Sequence, residues 1–247
     1  MKKSSVAFAL SWLLIFLISA PAFAQTKEEG IALYNEAVEL HEQAQKNEDL
    51  KKVVEKFEQA LEVFQNVEYF KGIAAASNSL GNVYKSWGQY DKAVDNHEKS
   101  LAIFRSLNNP AGEANSLIGL GNVYYSWGQY DKALKSFEHS LEISRRLKDP
   151  SGESKCLNNL GLVYKSWGQY DKAVEHYEKS LAISLEINDP AGESKCLNNL
   201  GIVYKSWGQY DRALKEFQTS LEKRRDLKDK SGAVSYTHLT LPTNREV

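Results

Sequence analysis

Two cysteines and one methionine in 247 residues exclude a fold stapled by many disulfides. A marked excess of either charge is also missing. With 31 basic and 32 acidic residues the formal charge is −1, so no wholesale attraction to nucleic acid is built into the chain. After the N-terminus no long apolar run recurs, which leaves no second candidate for a bilayer span. The motifs of common chemistries are absent too: no Gly-rich phosphate loop, no Gly-x-Ser-x-Gly elbow, no His-Glu-x-x-His and no Cys-x-x-Cys occur. A non-enzymatic protein without cofactors or metals is expected.

What is present begins with an export signal. Lys2 and Lys3 precede the apolar run Val6 to Ile18, which leads to Ala22-Phe23-Ala24. Residues 1–24 read as a signal peptide, giving a secreted or periplasmic address without a stable membrane span after cleavage. Gln25, not Cys, follows the cut and argues against a lipid-modified N-terminus. Losing Lys2 and Lys3 leaves 29 basic against 32 acidic residues, a formal charge of −3.

Beyond that point the chain repeats. Trp87, Trp127, Trp167 and Trp207 recur every forty residues, each within "SWGQYD", and a fixed period of this size marks a solenoid. Each copy holds two helical phrases. In the third, Leu157, Leu160, Gly161, Val163, Tyr164 and Trp167 share one face of the first helix, and Tyr170, Ala173, Val174, Tyr177 and Leu181 one face of the second. Gly168 ends the first helix. Asn109, Asp149 and Asp189 are placed to cap the next, with Pro110, Pro150 and Pro190 in its first turn. Gly81, Gly121, Gly161 and Gly201, each followed twelve residues later by Ala93, Ala133, Ala173 or Ala213, fall where helices approach closely. A hairpin of this size cannot bury its own apolar face, so the units must stack.

The phrase "LGNVYKSWGQYDKA", with Leu80, Gly81, Tyr84, Gly88, Tyr90 and Ala93, resembles the tetratricopeptide repeat in its forty-residue, kinesin-light-chain form. The resemblance implies an all-α, right-handed superhelical solenoid of antiparallel hairpins over residues 68–233, as four repeats and the start of a fifth. Ser100 departs from it by standing where the family favours Ala. Residues 25–67 lack the Trp motif but keep helical periodicity, and read as a divergent first hairpin capping the stack. The tryptophans themselves are better explained by packing than as a ligand box.

The resemblance also implies a function: the first helices of the repeats line a concave groove that binds a partner chain. The family's groove positions fall on Ala75, Asn78, Asn82, Lys85 and Ser86; Asn115, Ile118, Asn122, Tyr125 and Ser126; Lys155, Asn158, Leu162, Lys165 and Ser166; and Lys195, Asn198, Ile202, Lys205 and Ser206. Their spacing of three and four puts each set on one helix face. Asparagine can grip an extended backbone through its donor and its acceptor. None of the twenty positions is acidic. A peptide or protein ligand of acidic character, or a C-terminal carboxylate, is therefore expected, steered by Lys85, Lys155, Lys165, Lys195 and Lys205. Solvation of an exposed helix is the alternative reading of those lysines. In a second functional reading the repeats are the regulatory or sensor array of a truncated larger protein, carrying a caspase-like peptidase or sensor-kinase domain downstream.

Other reactive residues read as structural. Cys156 and Cys196 occupy equivalent positions of adjacent repeats, about 8 to 10 Å apart for packed helices, whereas a disulfide needs Cα atoms within about 7 Å. Two free thiols are predicted. His97, His139 and His176 point different ways and His41 is alone, so no metal site forms. Glu153 and Glu193, and Glu178 beside Lys179, suit solvated helix faces.

Near the end, "KDKSG" starts a fifth copy in register with "KDPSG", but residues 234–247, "VSYTHLTLPTNREV", lose helical periodicity. That stretch resembles a translated transposon-end sequencing adapter and is expected to lie outside the fold.

Overall fold

The computed structural model describes the backbone of residues 26–44 and 46–239, and side chains as far as Arg225 with Asn47 excepted. The signal peptide expected over 1–24 and the final eight residues lie outside these. The described residues form ten helices and no strand: α1 (Lys27–Gln43), α2 (Asn47–Asn66), α3 (Phe70–Ser86), α4 (Tyr90–Ser106), α5 (Pro110–Ser126), α6 (Tyr130–Leu147), α7 (Pro150–Ser166), α8 (Tyr170–Glu186), α9 (Pro190–Ser206) and α10 (Tyr210–Leu239). None is long and apolar enough to cross a membrane. Two compact units divide within α3, after Ala76.

The first unit is the hairpin α1–α2 with the opening turns of α3. Thr26 caps α1, its hydroxyl accepting from the Glu29 amide at 3.1 Å. Ala37, Val53, Phe57, Ala60, Val63 and Phe64 form the buried interior. Phe64 lies edge-on to Tyr69 at 5.4 Å, and a β-carbon on Gly30 would stand 2.6 Å from the Phe64 ring.

The second unit repeats one hairpin. Gly128 and Gly168 turn each first (A) helix into its second (B) helix at φ of 76° and 72°, a region that costs other residues about 1 to 2 kcal/mol. The return turn places Asn108, Lys148 or Asn188 at φ of 50° to 54°. Asn109, Asp149 and Asp189 then cap the next A helix, accepting from the amides of Gly112, Gly152 and Gly192 at 3.0 to 3.1 Å, with proline in the first turn as expected. The result is an all-α repeat solenoid.

The small residues fall at close approaches as expected, with Ala93, Ala133 and Ala173 fully buried. The helix glycine leaves room for an aromatic ring on the B helix: a β-carbon on Gly121 would run into the Phe137 ring, and one on Gly161 would meet Tyr177 at 2.8 Å. In the first copy that ring is His97, fully buried between Gly81 and Gly119.

Ser100, Ser140, Ser180 and Ser220 explain the departure from the family's alanine, because each is buried and hydrogen-bonded between helices. Ser140 donates to the Ala114 carbonyl at 3.0 Å and receives the Cys156 thiol at 3.3 Å. Ser180 donates to the Ser154 carbonyl at 2.8 Å and lies 3.1 Å from Cys196 Sγ. Both cysteines are free, as predicted, and burial pushes both thiols up.

Two expectations are corrected. α10 runs unbroken to Leu239, with no turn at "KDKSG" and with helix where residues 234–239 were expected to be aperiodic. Pro150 and Pro190 push the residue before them out of the helical region, whereas Lys230 imposes no such stop. Glu193, expected on a solvated face, is buried and paired with Lys223 at 2.6 Å. Glu153 is joined to Arg145 at 2.8 Å.

Candidate functional site

In the second unit the A helices α5, α7 and α9 touch in succession, while the B helices α6, α8 and α10 do not touch one another among the described residues. A stack that closes along one row of helices and opens along the other is curved, with the A helices inside. The A helices, on which the groove positions are expected, therefore form the inner row.

Between α7 and α9 that row holds a cavity of about 210 Å³ whose lining includes Ser154, Lys155, Asn158, Asp189, Lys195 and Cys196. A second cavity, of about 380 Å³, is bounded by Ala191, Ser194, Lys195, Asn198 and Arg224. Four of the predicted residues are thus gathered: Lys155 and Asn158 at the first cavity, Lys195 at both, Asn198 at the second. Asn82, Asn122 and Lys165 are half-buried, Asn115 and Lys205 exposed, and none of these five lines either cavity. Tyr125 is half-buried and reaches across to Ser166, the two hydroxyls 3.0 Å apart.

The asparagines are not free amides. Asn158 is only 3% exposed, and its Oδ1 accepts from Asn199 Nδ2 at 2.8 Å. The Oδ1 of Asn78 accepts from His97 Nδ1 at 2.7 Å, and that of Asn198 from Arg224 Nη2 at 3.3 Å. In all three the Oδ1 already has one partner within the protein. The Nδ2 of Asn158 is buried and has no partner among the described residues.

Lys155 and Lys195 are exposed at the cavity mouth, and Arg224 adds a third cation beside Asn198. One carboxylate, Asp189, lines the first cavity, and its Oδ1 is engaged by the Gly192 amide. Lys85 is half-buried, which holds its ammonium below the usual range. Burial and then the nearby Lys85 charge bring His97 down to about 4, so its imidazole is neutral at pH 7.

Sequence reasoning missed Arg224, Asn199 and the role of His97. Arg224 carried a visible signal, since it stands where earlier copies have Phe104, Ser144 and Ser184. Among the described residues no group of His, Cys, Asp and Glu could hold a metal ion. His176 is half-buried and stacked on Tyr164 at 5.1 Å, and burial lowers its basicity.

The sequence profile of the tetratricopeptide repeat family matches residues 40–106, 72–146, 112–186 and 157–226. The chain belongs to the tetratricopeptide repeat family. Solved tetratricopeptide-like structures share its fold. BtubC (BKLC) from P. vanneervenii is 20% identical with a TM-score of 0.59, over 92% of this chain and 96% of that one. A putative kinesin light chain from Podosopora anserina, with nearly identical TPR-like repeats, is 20% identical with a TM-score of 0.62, over 84% and 98%. A Rap protein complexed with Competence and Sporulation Factor is 17% identical with a TM-score of 0.70, over 93% and 68%. No curated protein matches the chain. The tetratricopeptide fold supports a protein–protein interaction scaffold.

Proposed function

We infer that this protein is a non-enzymatic scaffold whose A-helix groove holds an extended acidic segment, or the C-terminal carboxylate, of a partner protein. The observation that carries the reading is the unpaired Nδ2 of Asn158, which lines the first cavity together with Lys155 and Lys195. An unpaired donor among cations matches a ligand rich in acceptors, namely peptide carbonyls and carboxylates. Lys155, Lys195 and Arg224 add the positive charge that steers an anionic chain to it. The Rap protein of this fold, solved with Competence and Sporulation Factor, is a precedent for a second factor bound to such a solenoid. The signal peptide read from residues 1–24 supports a location outside the cytoplasm for this scaffold.

The test is calorimetric titration of the full chain with a library of acidic decapeptides. Binding is expected in the wild type and is abolished by the double reversal Lys155→Glu/Lys195→Glu. Unchanged affinity in that variant contradicts the reading.

A further inference from the structure

A second surface, the edge formed by the A-to-B turns, carries chemistry that packing does not use. The phrase SWGQYD is identical at 86–91, 126–131, 166–171 and 206–211. Part of it is structural. Each glycine takes positive φ, and each tryptophan after the first lies against the tyrosine of the preceding turn. Trp127 stacks on Tyr90 at 5.8 Å and 29°, Trp167 meets Tyr130 edge-on at 6.3 Å, and Trp207 lies over Tyr170 at 6.1 Å.

The rest is not explained that way. Gln89, Gln129 and Gln169 stand at the N-cap of their helices yet make no capping hydrogen bond. Asp91, Asp131 and Asp171 are exposed in the first turn, where a glutamate would serve the helix dipole equally. Other exposed positions drift between copies: one register position reads Asp95, Lys135, Glu175 and Lys215, and another Ala102, Glu142, Ala182 and Glu222. The turn edge does not drift. Nor are its indoles all hidden: Trp127 is 38% and Trp207 41% exposed, and Trp167 is half-buried.

Between the second turn and the third tryptophan lies an open cavity of about 290 Å³, lined by Gly128, Gln129, Tyr130, Asp131, Lys132 and Trp167. One wall is aromatic. The other offers a carboxylate acceptor, an amide that both donates and accepts, and an ammonium donor. A sugar ring needs this combination: its C–H face lies on an indole or phenol ring, while its hydroxyls, each donor and acceptor, need partners of both kinds. A proline-rich segment also uses aromatic ledges. Its prolines have no N–H, however, so the Asp131 carboxylate would have nothing to accept from.

We propose that the turn edge of the repeats is a binding site for a linear, neutral oligosaccharide, stacked on Tyr130 and Trp167 and hydrogen-bonded by Gln129 and Asp131, with neighbouring turns extending the contact along the sugar chain. The site is separate from the lysine groove and does not depend on it.

The experiment follows intrinsic tryptophan fluorescence of the full chain during titration with cellohexaose, maltohexaose, chitohexaose and decaproline. At least one hexaose is expected to bind saturably, about tenfold tighter than its own disaccharide because several turns engage together. Asp131→Ala/Asp171→Ala loses that binding at a temperature where its circular dichroism shows it still fully folded, whereas Lys155→Glu/Lys195→Glu retains it. The proposal is overturned if no hexaose binds, if the aspartate variant binds as the wild type does, or if decaproline alone binds.

Discussion

Asn199 donates from Nδ2 to Oδ1 of Asn158 at 2.8 Å, joining two adjacent A helices through residues forty-one apart in the chain. The bond fixes the amide of Asn158 with its NH₂ group unengaged. Asn158→Asp keeps the acceptor for Asn199 but replaces the donor with a second oxygen. Affinity for an acidic decapeptide is expected to fall at least about tenfold, or about 1.4 kcal/mol, which titration calorimetry reads. Asn199→Ala, which frees the amide to rotate, is expected to weaken binding less.

His97 makes stability depend on pH. Its folded value, about 4, lies below the ordinary 6.5, so between those limits the unfolded chain binds the proton and the folded chain does not. The stability contribution is complete above pH 6.5 and is lost as pH falls toward 4, by about 3 kcal/mol across the window. Urea unfolding at pH 7 and pH 4.5 measures it. His97→Phe, which installs the ring that Phe137 supplies one copy later, is expected to remove most of this dependence.

Gly119 and His97 fit as a pair. A β-carbon on Gly119 would run into His97 Cε1, so Gly119→Ala should cost about 1 to 3 kcal/mol. Combining it with His97→Ala should recover part of that loss. A double-mutant cycle from chemical denaturation gives the coupling, and strict additivity would contradict the packing described.

The buried serines are expected to act as structural hydrogen bonds. Ser180→Ala strips a partner from the Ser154 carbonyl and from Cys196 and should cost about 1 to 2 kcal/mol. The exposed Ser136→Ala, by contrast, loses only a bond to its own helix's Lys132 carbonyl and should be nearly silent. Thermal melts separate the two.

The repeat boundaries were legible because their signals are local. Gly128 at a turn, or Asp149 followed by Pro150, acts within a few residues of itself. That the expected groove positions share one face of each A helix follows from their spacing, while their role is implied only by the family resemblance. What could not be read were relations between helices. That Asn199 bonds the amide oxygen of Asn158, or that Arg224 on α10 reaches Asn198 on α9, depends on how neighbouring helices pack. Ser100 was legible only as a departure from the family's alanine, and the bond its counterpart Ser140 makes to the Ala114 carbonyl has no trace in periodicity. The tryptophans were read as packing residues, and they do pack on tyrosines, but the exposure of Trp127 leaves one side of the indole open.

The groove account rests on donors and cations meeting an acceptor-rich chain. Its most direct measurement is the affinity of a ten-residue glutamate-rich peptide against its glutamine counterpart, each titrated at low and at physiological salt. The account expects the acidic peptide to bind more tightly, with an advantage that shrinks as salt rises and disappears in Lys155→Glu/Lys195→Glu. Equal affinity for the two peptides, unaffected by salt or by the reversal, would contradict it.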